Sequence, residues 1–278
     1  MGINKWIYKN KWEKLNPPND LKHNDLNGHI ESIESKCYRK TKTKEPKRFL
    51  DEIETNNNYY LFFNHLGFIS QKIIYHISFN FIKTFEIYLF EYFSNNLVKS
   101  IREYNEDNEL KTTANFKYVV SKNKLTQRDF ESKTKIKEYK ISKYLEILPS
   151  ITFIGLPYRK GVIEYFYDNQ GNIVKEVNTN NDITKEYTYE GNLILTTKKT
   201  LNITSKPLLL EVAHHYFDQS GLKKIEYFNS DNELQRTDTF ENDKHKNWIK
   251  KEIIYHKAQS YLIERRIKYY DIKFPDVE

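Results

Sequence analysis

The sequence predicts an all-β chain, an elongated antiparallel meander of β-hairpins with little helix. Three observations carry the prediction. The first is composition: 22 Tyr and 17 Phe stand against three alanines, Ala114, Ala213 and Ala258. Alanine is the strongest helix former, whereas aromatic and β-branched side chains suit a pleated surface. The second is alternation at period two, as in Tyr165-Phe166-Tyr167, which places neighbouring side chains on opposite faces. The third is a short, recurring Asp/Asn/Gly turn signal. Such residues tolerate the positive φ of tight hairpins.

The turn signal defines a repeat. Tyr165–Ile173 reads YFYDNQGNI, Tyr187–Leu193 reads YTYEGNL, and Tyr216–Leu222 reads YFDQSGL. Tyr227–Leu234 and Glu103–Leu110 share the ending Asp-Asn-Glu-Leu, and Phe62–Phe68 and Tyr92–Leu97 are weaker copies. In each, an aromatic strand runs into a polar turn, and an aliphatic anchor opens the next strand. Anchors at 173, 183, 193, 222, 234 and 248 lie mostly 10–14 residues apart. That is too close for crossover helices, so consecutive antiparallel hairpins follow. Gly171, Gly191 and Gly221 are expected at turns, and Ile173, Leu193 and Leu222 are expected to be more buried than their sequence neighbours. Any helix is expected to be a turn or two, at Trp12–Leu15 or residues 81–92.

The unit resembles the YD repeat of rearrangement-hotspot (Rhs) proteins, and more closely a group of short bacterial proteins built of degenerate copies. Leu26-Asn27-Gly28-His29-Ile30-Glu31-Ser32-Ile33 matches that group's opening strand. Asn247-Trp248-Ile249-Lys250-Lys251 and Glu264-Arg265-Arg266-Ile267-Lys268-Tyr269-Tyr270 match its closing motifs. Lys246 departs from the usual glycine. The resemblance implies a scaffold or shell with no catalytic residue. It spans about residues 26–271, giving one β-repeat domain between an N-terminal extension (1–25) and a tail (272–278). Residues 131–160, with Pro149 and Pro157, mark a seam in the repeat.

One cysteine, Cys37, excludes a disulfide framework and a cysteine-based metal site. The N-terminus lacks the apolar run of a signal peptide, and Lys83, Glu86 and Glu91 interrupt the apolar stretch 79–93 too densely for a spanning helix. These features predict a cytoplasmic chain without a membrane partner. No Walker, GxGxxG, HExxH or GxSxG motif is present. His214 and His215 are adjacent, so on a strand they point apart and do not chelate one ion. The expectation is a non-enzymatic chain needing no cofactor and no metal.

Net charge is +7, and it arises entirely in residues 1–150, with 26 Lys/Arg against 19 Asp/Glu; the remainder holds 19 of each. Lys40, Lys42 and Lys44 in the basic stretch 36–48 are one candidate contact set. Phe79, Phe81 and Phe85, where apolar residues interrupt the repeat, are the other. The first functional expectation is a protein-binding module, in particular an immunity protein that neutralises a toxin. The alternatives are a nucleic-acid or acidic-polymer binder using the basic stretch and a surface scaffold or glycan binder.

Overall fold

The computed structural model describes residues 20–23, 26–39, 58–78, 81–121, 124–141, 147–156, 159–191, 193–203, 207–256 and 260–271. Among the described residues, one helical turn, α1 (Asp20–His23), precedes eighteen strands. In order they are β1 (Ile30–Arg39), β2 (Tyr59–Phe63), β3 (Ile69–Ser78), β4 (Phe81–Tyr92), β5 (Val98–Tyr104) and β6 (Leu110–Ser121). Then follow β7 (Lys124–Asp129), β8 (Lys135–Ile141), β9 (Ile147–Leu156), β10 (Arg159–Tyr167), β11 (Ile173–Asn178) and β12 (Ile183–Glu190). The last are β13 (Leu193–Leu201), β14 (Leu208–Asp218), β15 (Gly221–Phe228), β16 (Leu234–Asn242), β17 (Trp248–Tyr255) and β18 (Tyr261–Tyr269).

Each strand pairs antiparallel with the next. The prediction of an antiparallel meander of hairpins therefore holds. Residues 81–92, an expected place for helix, instead form β4. Its Phe85-Glu86-Ile87-Tyr88-Leu89-Phe90 core alternates at period two and registers against β3, Ile87 opposite Ile73 and Leu89 opposite Gln71. The other expected helix, at Trp12–Leu15, lies outside the described residues.

A long-range pairing completes the meander. β18 pairs with β1 from Ile30↔Tyr269 to Arg39↔Tyr261, and β1 pairs in turn with β2. Every strand thus has a partner on each side, and the run of pairings returns on itself. β9 belongs to this run, bonded to β8 and to β10. An antiparallel ring of this many strands is too wide for side chains to fill its centre. Burial agrees: the described core is four separate clusters along the wall rather than one central mass. They are built on Leu97–Leu125–Ile141, on Ile30–Ile33–Leu61–Phe63, on Cys37–Ile253–Ile263 and on Ala213–Ile225–Phe240.

The hairpin loops share one design. In Asn64–Phe68, Phe93–Leu97, Asn105–Glu109, Asp168–Asn172, Asn229–Glu233 and Asp243–Asn247, the first N–H donates to the fifth carbonyl and the fourth N–H donates to the first. Where the first residue is Asn or Asp, its Oδ1 accepts from the third and fifth N–H groups, as Asp168 does from Gln170 and Asn172 at 2.8 and 2.9 Å. The fourth residue has positive φ in every copy: Gly67, Asn96, Asn108, Gly171, Asn232 and Lys246. The Asp/Asn/Gly signal is therefore a specific hydrogen-bonded loop followed by a bulge. Lys246 keeps the loop at φ 68° without the glycine.

Gly191 and Gly221 also lie at turns with positive φ. The anchor assigned to the Gly191 copy is corrected. Leu193 is 48% exposed, because a two-residue turn places it opposite Glu190, while Ile194 pairs with Tyr189. Ile194 therefore holds the place that Ile173 holds opposite Tyr167 and Leu222 holds opposite Phe217. The Gly191 and Gly221 turns are equally long, but Gly191 lies two positions after Tyr189 and Gly221 four after Phe217, so the aliphatic residue nearest the glycine falls on opposite faces.

Candidate functional site

Register and burial separate the two faces of the wall. On β1, Ile33, Ser35 and Cys37 are buried while the intervening Lys36 is exposed. The exposed face carries ladders of ion pairs. Glu34 meets Lys36 at 2.5 Å and Arg266 at 3.8 Å, Glu241 meets Lys250 at 2.5 Å, and Glu31 meets Lys268 at 2.7 Å. Further round, Lys224 meets Glu226 at 2.8 Å, and Glu226 also accepts from the Tyr216 hydroxyl at 2.8 Å. Such pairs are individually weak, but they make this a hydrated surface.

One part of the outer face differs. Starting from outward Glu34, register carries the same face through Tyr60, Ile73 and Ile87, and through Tyr75 opposite Phe85. Tyr60 stacks on Phe62 at 5.7 Å and meets Tyr75 edge-on at 6.3 Å. Tyr60, Phe62, Ile73, Tyr75, Phe85 and Ile87 form a continuous, partly exposed strip over β2–β4. Phe85 of the predicted contact set falls within it. Phe79, Lys40, Lys42 and Lys44 lie outside the described residues, as does the side chain of Phe81.

The inner face is rich in tyrosine and carries buried charge. Asp238 is fully buried, with Arg236 Nε and Nη2 at 2.6 Å and Lys251 Nζ at 2.8 Å. Burial pushes its carboxyl up, but the two cations outweigh that and hold it below its ordinary value. The Arg236 guanidinium lies over Tyr227 at 4.2 Å. Burial raises the hydroxyls of Tyr167, Tyr187 and Tyr227, which stay neutral donors; Tyr187 donates to Glu176 at 2.8 Å. His215 faces inward, 3.2 Å from Thr197 Oγ1, while His214 packs edge-on to Phe228 at 5.5 Å. The adjacent histidines are thus divided between faces. Among the described residues, no group of three His, Cys, Asp or Glu side chains could hold a metal ion.

In the second closing motif, Arg266 forms a cross-strand ion pair with Glu34, whereas Arg265 is turned to the other face. It faces inward, stacks on Trp248 at 3.4 Å and donates to the Tyr59 hydroxyl at 2.8 Å. Nearby, buried Asn247 clamps the barrel seam. It accepts from Asn27 N–H at 2.8 Å and donates to Asn27 C=O at 2.7 Å and to the Tyr269 hydroxyl at 2.8 Å. Tyr269 in turn donates to Asp243. Sequence reasoning missed Arg265, Asp238 and Asn247. A signal was present for Asn247 and Trp248, which sit together in the closing motif.

At one end of the ring is a cavity of ≈ 1090 Å³ lined from distant strands, among them Ile30 of β1, Lys137 of β8, Tyr167 of β10, Tyr189 of β12, Phe217 of β14 and Arg265 of β18. α1 packs beside it: Leu21 is buried, and Asp20 accepts from Ile69 N–H at 2.6 Å.

No family model and no curated protein matches the chain. Solved structures with similar strand arrangement include a porin-like protein from Bacteroides uniformis, 8% identical, TM-score 0.41, covering 91% of this chain and all of that one. They also include the TcdB2-TccC3 complex, 9% identical, TM-score 0.26, covering 85% of this chain but 20% of that one. A porin-like protein from Bacteroides vulgatus gives 11% identity and a TM-score of 0.25 over 88% of this chain. These likenesses are too distant to carry any functional argument.

Proposed function

We propose that this chain is a protein-binding module that docks its partner on the outer strip over β2–β4. The observation that carries the reading is the strip itself: six adjacent apolar or tyrosyl side chains on a face that carries ladders of ion pairs on other strands. Aromatic-rich patches with a polar rim are the usual centres of protein interfaces. The partner we propose is a toxin that the chain neutralises as an immunity protein in the bacterial cytoplasm; the YD-like sequence repeat supports that setting by analogy alone.

The test uses a partner identified by crosslinking and then purified. Phe85→Asp and Ile87→Asp place charge in the strip without opening the lumen. Each is expected to weaken binding at least about tenfold, a loss of about 1.4 kcal/mol, with the circular dichroism spectrum unchanged. For the toxin reading, co-production with the partner should restore growth, and Phe85→Asp should abolish the rescue. Retention of nucleic acid that falls steeply with salt and disappears on neutralising Lys40, Lys42 and Lys44 would instead establish the basic stretch as the binding site.

A further inference from the structure

The cavity in the lumen carries a charge imbalance independent of the outer strip. Its lining includes Lys137, Lys246 and Arg265 and contains no Asp or Glu. Two of these cations are largely buried and lack a contacting carboxylate among the described residues. Arg265 has the Trp248 face and the Tyr59 hydroxyl as partners, and its Nε is buried with no acceptor. Lys137 has no hydrogen-bonded or ion-paired partner among the described residues; burial lowers its ammonium pKa, and Asp20 opposes the shift from a distance. A buried cation left without a counter-charge is costly.

The wall behind Arg265 shows the same excess of donors. Ser35 is directly opposite Arg265 in the β1–β18 register and opposite Tyr59 in the β1–β2 register. Its Oγ is buried with no partner. Asn58, next to Tyr59, uses Oδ1 to accept from Cys37 N–H at 2.8 Å, which leaves its buried Nδ2 unpaired. The unpaired Arg265 Nε–H, Ser35 hydroxyl and Asn58 amide thus gather in the wall behind the cavity, and of these residues Arg265 lines the cavity itself. An oxyanion is the counter-charge that such a cationic lining lacks, and a guanidinium that lines a cavity binds carboxylate and phosphate in a two-pronged fashion.

The rest of the lining fits an apolar or aromatic body. Tyr165, Tyr167, Tyr189, Phe217 and Trp248 face the cavity. Its ≈ 1090 Å³ is ample for one small molecule. We propose that the lumen is a binding site for a small organic oxyanion, a carboxylate or phosphate on a ring-bearing body, with Arg265 as the anchoring cation and Lys137 drawing the anion from another strand of the wall.

The test uses the full chain with Trp6→Phe and Trp12→Phe, so that fluorescence reports on Trp248. Phenyl phosphate, benzoate and neutral benzyl alcohol are titrated at matched ionic strength. At least one anion is expected to give saturable quenching and raise the melting temperature, binding about tenfold or more tighter than benzyl alcohol. The better of the two anions identifies the head group. Arg265→Gln is expected to weaken that anion by at least about tenfold, while Arg266→Gln, the outward neighbour, leaves it unchanged. Lys137→Gln is the second variant, because removing an unpaired buried charge does not threaten folding. It should raise the melting temperature of the ligand-free protein and weaken the anion. Equal affinities for the anions and benzyl alcohol, no saturation by either anion, or unchanged anion affinity in Lys137→Gln with Arg265→Gln folded, would overturn the proposal.

Discussion

Asp238→Asn isolates one buried electrostatic cluster at nearly constant volume. The carboxylate is wholly buried, and the side chains of Arg236 and Lys251 are 25% and 18% exposed. Neutralising Asp238 leaves two largely desolvated cations facing each other without compensation. Breaking a buried pair from one side costs about 3–5 kcal/mol. The amide still accepts one hydrogen bond, so about 3 kcal/mol is expected, or roughly 6–12 °C in melting temperature. Urea melts at neutral pH measure the loss through the midpoint, with the slope unchanged. The pH dependence has a definite sign. The folded pKa of Asp238 lies below its ordinary 3.8, so its contribution is complete above 3.8 and is lost as pH falls through the folded value. Wild type and variant should therefore converge in strong acid. Replacing all three members by apolar residues of similar volume should cost far less than Asp238→Asn alone. A loss below about 1 kcal/mol, the scale of exposed pairs, would refute a desolvated cluster.

Lys246→Gly should stabilise the chain by about 0.5–1 kcal/mol, because the left-handed conformation at φ 68° is strained for lysine; thermal melts check it. Asn247→Ala removes three hydrogen bonds at the seam and should cost about 2–3 kcal/mol, with faster amide exchange at Asn27 and along β1 than along β12. His215 is held below 6.5 by burial and by His214. The unfolded chain therefore takes up the proton first, and stability should fall as pH drops below 6.5; His215→Gln should flatten that part of the stability profile. Incubated with lipid vesicles, the full chain should sediment rather than float.

Local structure was legible where local chemistry decides it. An Asn or Asp that accepts from two N–H groups, followed by a residue of positive φ, is a signal contained within five positions, and Asn64, Asn105, Asp168, Asn229 and Asp243 all obey it. The signal does not record where the glycine sits within the turn, so Leu193 was assigned the place of Ile194. It also does not require glycine, as Lys246 shows. Residues 81–92 were ambiguous because their dense apolar content fits a helix as well as a strand until β3 supplies the partner. Closure left no local trace. The β1–β18 pairing joins residues more than two hundred positions apart, and any strand with the right alternation would serve equally well. Arg265 was unreadable for the same reason. It lies between Glu264 and Arg266, and only the register shows that those two face outward while it faces Trp248.

A closed antiparallel ring of this size is an architecture found in membrane pores, and polarity decides how such a wall is solvated. A lipid-facing wall needs an outward apolar band with its polar side chains turned to the lumen, and each Arg or Lys at the midplane costs roughly 2–4 kcal/mol. Here charged side chains stand on the outer face of four neighbouring strands as well as on the inner face. Glu34, Arg266, Lys250 and Glu241 lie on the outer face of β1, β16, β17 and β18, well within the strands, while Tyr167, Tyr189, Phe217 and Trp248 line the inside. The two cations among these, Arg266 and Lys250, would together cost roughly 4–8 kcal/mol at a bilayer midplane, comparable to a domain's whole margin of stability. We therefore expect the outer wall to face water. On such a wall the β2–β4 strip gathers six adjacent, partly exposed apolar or tyrosyl side chains, and the lumen, lined with aromatic rings and with Lys137, Lys246 and Arg265 but no carboxylate, is the part with cationic charge left to neutralise.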